Sequence, residues 1–349
     1  MTTKYPYHER LAFNLLCICL IGLIIYLGQD ILLPLFFSVL LSSLLLPVVS
    51  FLERKRMMKS IAIFITVAAA VLIGLATIYF LANQAAHFFG DFKEIKQQLA
   101  SLFSKIQRWL SSTLNIGIRT QNQYIAETTG QMKESSPQLV GSTFLSLTQV
   151  LTYLGLVPIY TFLLLYYKPL IGKFITSLFP NGSKSSVLKI VTECQVISRS
   201  YLSGLFFDFV IVFALNTLGF VILGIKYAVF LALVAALLNL VPYVGMLIAN
   251  VFCMAITLIT SGSSADVLWV AAILAIVQLI DNNILIPWVV GRKVRINAIT
   301  TIVAVLVGGA MCGVPGMFLA IPGVAVLKVV FDNVESLKPW GLIMGHSKD

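Results

Sequence analysis

The chain has 349 residues, of which 59% are apolar and only 11% charged. A soluble globular chain of this length carries about a quarter charged residues, and here the charges gather between long apolar runs, which excludes a soluble fold. The formal net charge of +10 is not the footprint of a nucleic-acid partner: the basic residues form no single stripe interleaved with aromatics, and several (Arg54, Lys55, Arg56, Lys59) sit immediately beside apolar runs, as they do in the cytoplasmic loops of membrane proteins.

In chain order, the pattern predicts an all-α, polytopic helical membrane protein. The run Leu11 to Gly28 has 18 residues and would reach about 27 Å, close to the thickness of a bilayer core. No small-residue cleavage signature follows it, so it reads as a retained first span. Span 2 is expected at 31–52, a basic loop at 53–59, and span 3 at 61–82, which together make residues 1–82 an N-terminal group of three spans. The charge rule puts the 53–59 loop, and with it the N-terminus, in the cytoplasm.

Residues 83–140 are the one sizeable hydrophilic segment and by this topology lie outside the cytoplasm. Phe88, Phe92, Ile95, Leu99, Leu102, Ile106 and Trp109 recur at steps of four and three, a heptad seam for helix-on-helix packing. Ile125, Met132 and Leu139 continue it weakly, so the seam closes either a hairpin within the segment or a contact between copies of a homo-oligomer. Residues 141–182 hold span 4, with Pro158, and a basic turn at Lys168 and Lys173.

Residues 183–335 read as a transport core and 336–349 as a cytoplasmic tail. Val187, Ile190, Val191, Cys194, Ile197 and Tyr201 share one helical face, which predicts an amphipathic helix at the inner membrane surface, followed by span 5 at 205–223. Span 6 is expected at 267–290. On either side of it lie apolar runs of 34 residues, 227–260 and 298–331, each about 51 Å as one helix and too long for a simple span. The first is interrupted around Asn239, Pro242 and Gly245, the second at Pro315 and Gly316. Paired Pro/Gly breaks of this kind point to broken helices or re-entrant hairpins that form a transporter site. With both runs as hairpins the basic loop 291–295 faces the cytoplasm, as the charge rule requires, and the two halves make an inverted repeat.

No phosphate-binding loop, HExxH or GxSxG occurs, so the chain does not read as an enzyme or an ATP-driven pump and no cofactor is expected. Five cysteines and three histidines lack ligand spacing, and no metal site is expected. The strongest single signal is Asp281, deep in span 6. An Asp there costs about 2.5–3.5 kcal/mol on the insertion scale, so it has to face protein or water. Gln278, Asp281 and Asn282 share a helix face, and Pro287 deprives the carbonyl of Asn283 of its helical donor. Such a group suits a cation, a proton or a small polar solute; the plainer alternative is hydrogen-bonded glue between helices. Asp208, one turn inside span 5, reads as a residue reaching the interface, with a functional role as the alternative.

Tyr201-Leu202-Ser203-Gly204, Leu223-Gly224-Ile225, Leu240-Val241-Pro242-Tyr243-Val244-Gly245, Asp281-Asn282-Asn283-Ile284-Leu285-Ile286-Pro287, Gly291, Gly308-Gly309, Gly313-Val314-Pro315-Gly316 and Ala320-Ile321-Pro322 occur in that order. The ordered set resembles the autoinducer-2 exporter family of PerM-type permeases, closely over 141–335 and in span layout over the whole chain. The resemblance implies an oligomeric transporter of the bacterial inner membrane, some relatives exporting autoinducer-2 and others resembling sodium/proton antiporters. Carried over by motif, Pro242 and Gly245 mark the first break, Asp281, Asn283 and Pro287 the polar stretch, Pro315 and Gly316 the second break. The family often has Glu where Asp281 stands, and Trp288 replaces its usual basic residue. The expected function is a secondary permease of a small polar solute, with a sodium/proton antiporter, a passive channel and a non-transporting scaffold as alternatives; its partners would be the lipid bilayer, the solute and further copies of itself.

The paired-hairpin topology has a direct test. In a variant stripped of native cysteines, R295C is expected to react with membrane-impermeant maleimide only from the cytoplasmic side; labelling from outside would restore two full spans.

Overall fold

The computed structural model describes residues 7–114, 152–179, 184–241, 244–285 and 296–345. Pro242, Pro287, Trp288, the basic loop 291–295 and the second half of the heptad segment, with Ile125, Met132 and Leu139, lie outside them. The described residues are almost entirely helical: α1 Tyr7–Leu27, α2 Gln29–Arg54, α3 Lys59–Gly90, α4 Phe92–Leu114, α5 Thr152–Tyr166, α6 Lys168–Ser177, α7 Lys184–Ile222, α8 Ala228–Asn239, α9 Val244–Ser261, α10 Ser264–Ile280, α11 Ala298–Asn333 and α12 Lys338–Met344. Six of these helices are long and apolar enough to cross a membrane, seven if the bent pair α5–α6 forms one span. The chain is therefore a polytopic all-α membrane protein. It divides into two compact units, one of residues 1–68, 153–202 and 292–349, the other of 69–152 and 203–291.

Two boundaries differ from the sequence pattern. The amphipathic stretch from 184 and span 5 form one uninterrupted helix of 39 residues, α7. Only Gly204 weakens the junction, at about 1 kcal/mol, too little to break a helix of that length. Span 3 likewise runs on to Gly90, so the hydrophilic segment begins as a continuation of it.

In the first unit, α2 carries Pro34 and Pro47 within its length. The hydroxyl of Ser38 lies 2.6 Å from the carbonyl of Pro34 and 3.1 Å from that of Val157 in α5, which ties the two helices by a side chain where water is absent. Phe37 stacks on Phe318 of α11 at 5.7 Å. Helix α11 is not one rod. Gly313 has φ 62 and ψ −149, a conformation open in practice to glycine alone. A Cβ on Gly308 would meet the carbonyl oxygen of Gly316 at 2.5 Å and Cβ of Ala320 at 3.2 Å. In a straight helix, residues eight apart are about 12 Å apart, so the two arms of α11 fold back side by side about Gly313. Asn297 caps this hairpin, its side chain accepting from the Thr300 N–H at 2.8 Å. The same side chain donates to the carbonyls of Ile343 (2.6 Å) and Gly345 (3.2 Å) at the end of α12.

In the second unit, α8 and α9 make another hairpin. The thiol of Cys253 lies 3.6 Å from the carbonyl of Leu231, and a Cβ on Gly245 would run into the carbonyl of Leu238. The two arms thus press together on small residues, Ala235 and Ala249 among them. A left-handed Gly262 ends α9, and the Ser263 side chain caps α10 by accepting from the Asp266 N–H at 3.4 Å. Gly219 of α7 faces Ile273 of α10 so closely that a Cβ would approach its side chain to 2.8 Å.

The heptad seam is used inside this unit. Phe88 and Ile95 are buried with the α8–α9 core, Phe88 stacking on Phe230 at 4.5 Å, whereas Leu99 is exposed. At the same end the Tyr227 hydroxyl donates to Asp91 at 2.6 Å, and Lys226 holds both oxygens of Glu94 at 3.1 Å.

The hairpin contact is testable by size alone. Gly245→Ala is expected to lower stability in detergent by about 1–3 kcal/mol through overpacking. Gly74→Ala, where nothing lies within 4 Å in mid-helix, should be neutral or gain about 0.5–1 kcal/mol. Thermal melting of both purified variants compares them.

A buried carboxylate pair as candidate functional site

The second unit gathers a polar cluster from four helices and the turn that follows the last of them. Helix α7 contributes Asp208, Val212 and Asn216 at successive four-residue steps, one face of one helix. Helix α8 contributes Asn239, its last residue, and α9 contributes Asn250. Helix α10 contributes Gln278, and the turn that follows it contributes Asp281.

That turn, Asp281–Leu285, is a single π-helical turn. Within it Asp281 and Leu285 are buried, and Asn282, Asn283 and Ile284 are exposed. Single π turns of this kind recur where a helix has to place a side chain for function.

The Asn239 amide nitrogen donates to Asp281 Oδ2 at 3.0 Å and reaches Asp208 Oδ2 at 3.5 Å. Gln278 adds a second donor to Asp281 Oδ2 at 3.3 Å and another hydrogen bond to Asn282 Oδ1 at 3.1 Å. Asp208 is 6% exposed and Asp281 and Asn216 are each 2% exposed. In each of these three residues the Oδ1 atom is buried with no hydrogen-bond partner. Among the described residues the ion pairs are Lys189–Glu193, Lys226–Glu94 and Lys328–Asp332, so neither Asp208 nor Asp281 has a basic partner there.

Beside the cluster is a cavity of about 20 Å³, bordered by Asn216, Asn239, Asn250, Gln278 and Asp281 and closed by apolar Val212, Ala249, Leu274 and Val277. That is room for about one water molecule or a bare ion of similar size. Oxygens and amides around a small space, the Asp281 carboxylate among them, suit a hard monovalent cation or a proton.

Of the residues expected from the sequence, the structure brings together Asn239, Gln278, Asp281 and Asn282. Asn283 is apart: it is exposed and its amide donates to the carbonyl of Leu279 at 2.8 Å. Gly245 serves the hairpin contact, and Pro315 and Gly316 belong to the α11 hairpin of the first unit. Asp208, read from sequence as reaching the interface, is buried in the cluster, and Asn216 and Asn250 were not anticipated. The signal for Asn216 was its place two turns along the face of Asp208.

The family profile described as "AI-2E family transporter" matches residues 15–336. The chain is similar to the "Putative transport protein YueF" of Bacillus subtilis, 25% identical over 316 residues that cover 87% of this chain and 85% of that one. It is 24% identical over 330 residues to the "Putative permease PerM" of Escherichia coli, covering 91% and 92% of the two chains.

If Asn239 holds the pair together, it and Asp208 should be energetically coupled. Asn239→Ala is expected to destabilise by about 1–3 kcal/mol, the cost of leaving buried acceptors without a donor. Asp208→Asn in the same background should recover part of that loss, giving a coupling of about 0.5–3 kcal/mol. Thermal melting of the wild type, both single variants and the double variant measures it, and strict additivity would remove the bridge.

Proposed function

We infer the function of this chain from the family it belongs to, the AI-2E transporters: it is a multi-pass membrane protein of a transporter family. We propose that it is a secondary permease of the bacterial inner membrane, with both termini in the cytoplasm, moving a small polar solute such as autoinducer-2 at the expense of an ion gradient. The observation that carries the coupling role is the Asp208–Asn239–Asp281 cluster, two buried carboxyl groups reached by one amide with no basic partner among the described residues.

Two carboxylates sharing one donor repel each other, and a cation or proton between them relieves the repulsion. Asn239 rides on the tip of the α8–α9 hairpin, whereas Asp208 and Asp281 ride on the helices around it. Loading and unloading of the pair therefore changes what holds the hairpin tip. That is the link a secondary transporter needs between an ion and the access of its solute.

A second reading is favoured by the size of the cavity. About 20 Å³ admits an ion but not an organic solute, which supports a sodium/proton antiporter in which the ion is itself the cargo. A passive channel is less well supported: it needs a continuous polar lining, and the spans are strongly apolar. A scaffold without transport would show no gradient-driven flux at all.

Asp281→Asn keeps size and hydrogen-bonding capacity but removes the charge. The variant is expected to insert and to migrate in mild detergent as the same homo-oligomer as wild type, while gradient-driven flux in proteoliposomes falls to that of empty vesicles. Asp281→Glu should keep partial activity. Flux of labelled solute and of sodium, each under imposed proton and sodium gradients, separates permease from antiporter. Undiminished driven flux in a well-assembled Asp281→Asn protein would reduce the cluster to structural glue.

A further inference from the structure

Helix α6 has no part in the site above, and its sequence is divided cleanly around its axis. Leu170, Ile171, Phe174 and Ile175 fall within one arc, with Lys168, Gly172, Lys173, Thr176 and Ser177 opposite. It leaves α5 at an angle of 68°. None of its residues is buried, and Phe174 is 61% exposed.

The turn is fastened by a cation. Lys59, at the start of α3, donates to the carbonyl of Tyr166 at 2.6 Å and sits over the Tyr166 ring at 5.3 Å. This occupies one of the carbonyls that the end of α5 leaves without an intrahelical donor. It also brings the basic loop before α3 to the beginning of α6, both within the first unit. Arg54, Lys55 and Arg56 of that loop are exposed, as are Lys168 and Lys173. None of these five is in an ion pair among the described residues.

We propose that α6 and the 53–59 loop together form a docking surface for anionic phospholipid, at the headgroup level of the cytoplasmic leaflet. The apolar arc of α6 lies in the acyl boundary, and the cations of the helix and the loop meet lipid phosphates. An amphipathic helix lying flat at the interface and a juxtamembrane basic cluster are each a recognised mode of lipid binding, and the Lys59–Tyr166 contact makes them one surface. The charge selects the occupant: a protein partner would be matched by its own acids, whereas this leaflet offers a continuous anionic plane beside the exposed apolar arc.

Two measurements on the full-length chain in nanodiscs test this. Spin labels at F174C and K173C, in a background without native cysteines, are expected to differ: the first accessible to oxygen dissolved in lipid, the second to a water-soluble nickel chelate. Both in water, or both in the bilayer core, would overturn the proposal. In native mass spectrometry of protein from mixed phosphatidylglycerol and phosphatidylcholine, wild type should retain phosphatidylglycerol. K168Q/K173Q should lose retention by about fivefold per removed cation, and K168R/K173R should keep it. Equal retention by the Gln variant would overturn the proposal, as would displacement of the lipid by inorganic phosphate alone, which would mark a free-phosphate site.

Discussion

The amide nitrogen of Asn239 reaches two carboxyl groups that belong to different helices, at 3.0 and 3.5 Å. In a medium without water, a buried acid has to find its donors within the protein. Asn239 is at the end of the short helix α8 because the chain breaks there, and the break is tolerable because α9 returns along α8 at once. Every contact that closes this hairpin, from Cys253 against Leu231 to Gly245 against Leu238, therefore also sets where the Asn239 amide stands. Packing and polar chemistry are not separate layers here. The small residues bring the backbones close enough for a helix end to sit among apolar neighbours, and the helix end supplies the donor.

The π turn at Asp281–Leu285 solves the same problem from the other side. Asp281 and Leu285, one turn apart, are buried together, and the two asparagines between them are left outside. The remaining Oδ1 atoms of Asp208, Asn216 and Asp281, buried without partners beside a cavity of about 20 Å³, are costly for a purely structural network. They are what an ion-handling site would retain.

Much of this was legible in the sequence because membrane folding writes long, one-dimensional signals. The apolar runs mark the helices, and two runs of 34 residues with central Pro and Gly mark two breaks, whose form as kinked spans or hairpins the sequence leaves open. Asp281 stood out because an acid amid Leu, Ile and Val has few innocent explanations. Asp208 is a weaker signal: near the expected start of span 5 it reads either as a group reaching the interface or as a functional acid, and only the structure, in which α7 begins some twenty residues earlier, shows it buried beside Asn239. Asn216 and Asn250 carry no charge and stand out less than an acid in an apolar run; the helical face of Asp208 points to Asn216, but the convergence of both on one cavity is a tertiary fact. Nor could the periodicity of Phe88, Ile95 and Leu99 name a partner. It records an apolar stripe, and the structure lays its first part on the α8–α9 hairpin while leaving Leu99 exposed.

Asn297 joins two places that are far apart along the chain. Its side chain starts the α11 hairpin by capping Thr300 and, at the same time, ends α12 by holding the carbonyls of Ile343 and Gly345. Force or bulk applied beyond Gly345 is thus delivered within one side chain's length to the first turn of a hairpin whose tip depends on a single glycine torsion. A fluorescent or affinity fusion attached just after Gly345 would be mechanically in series with that hairpin.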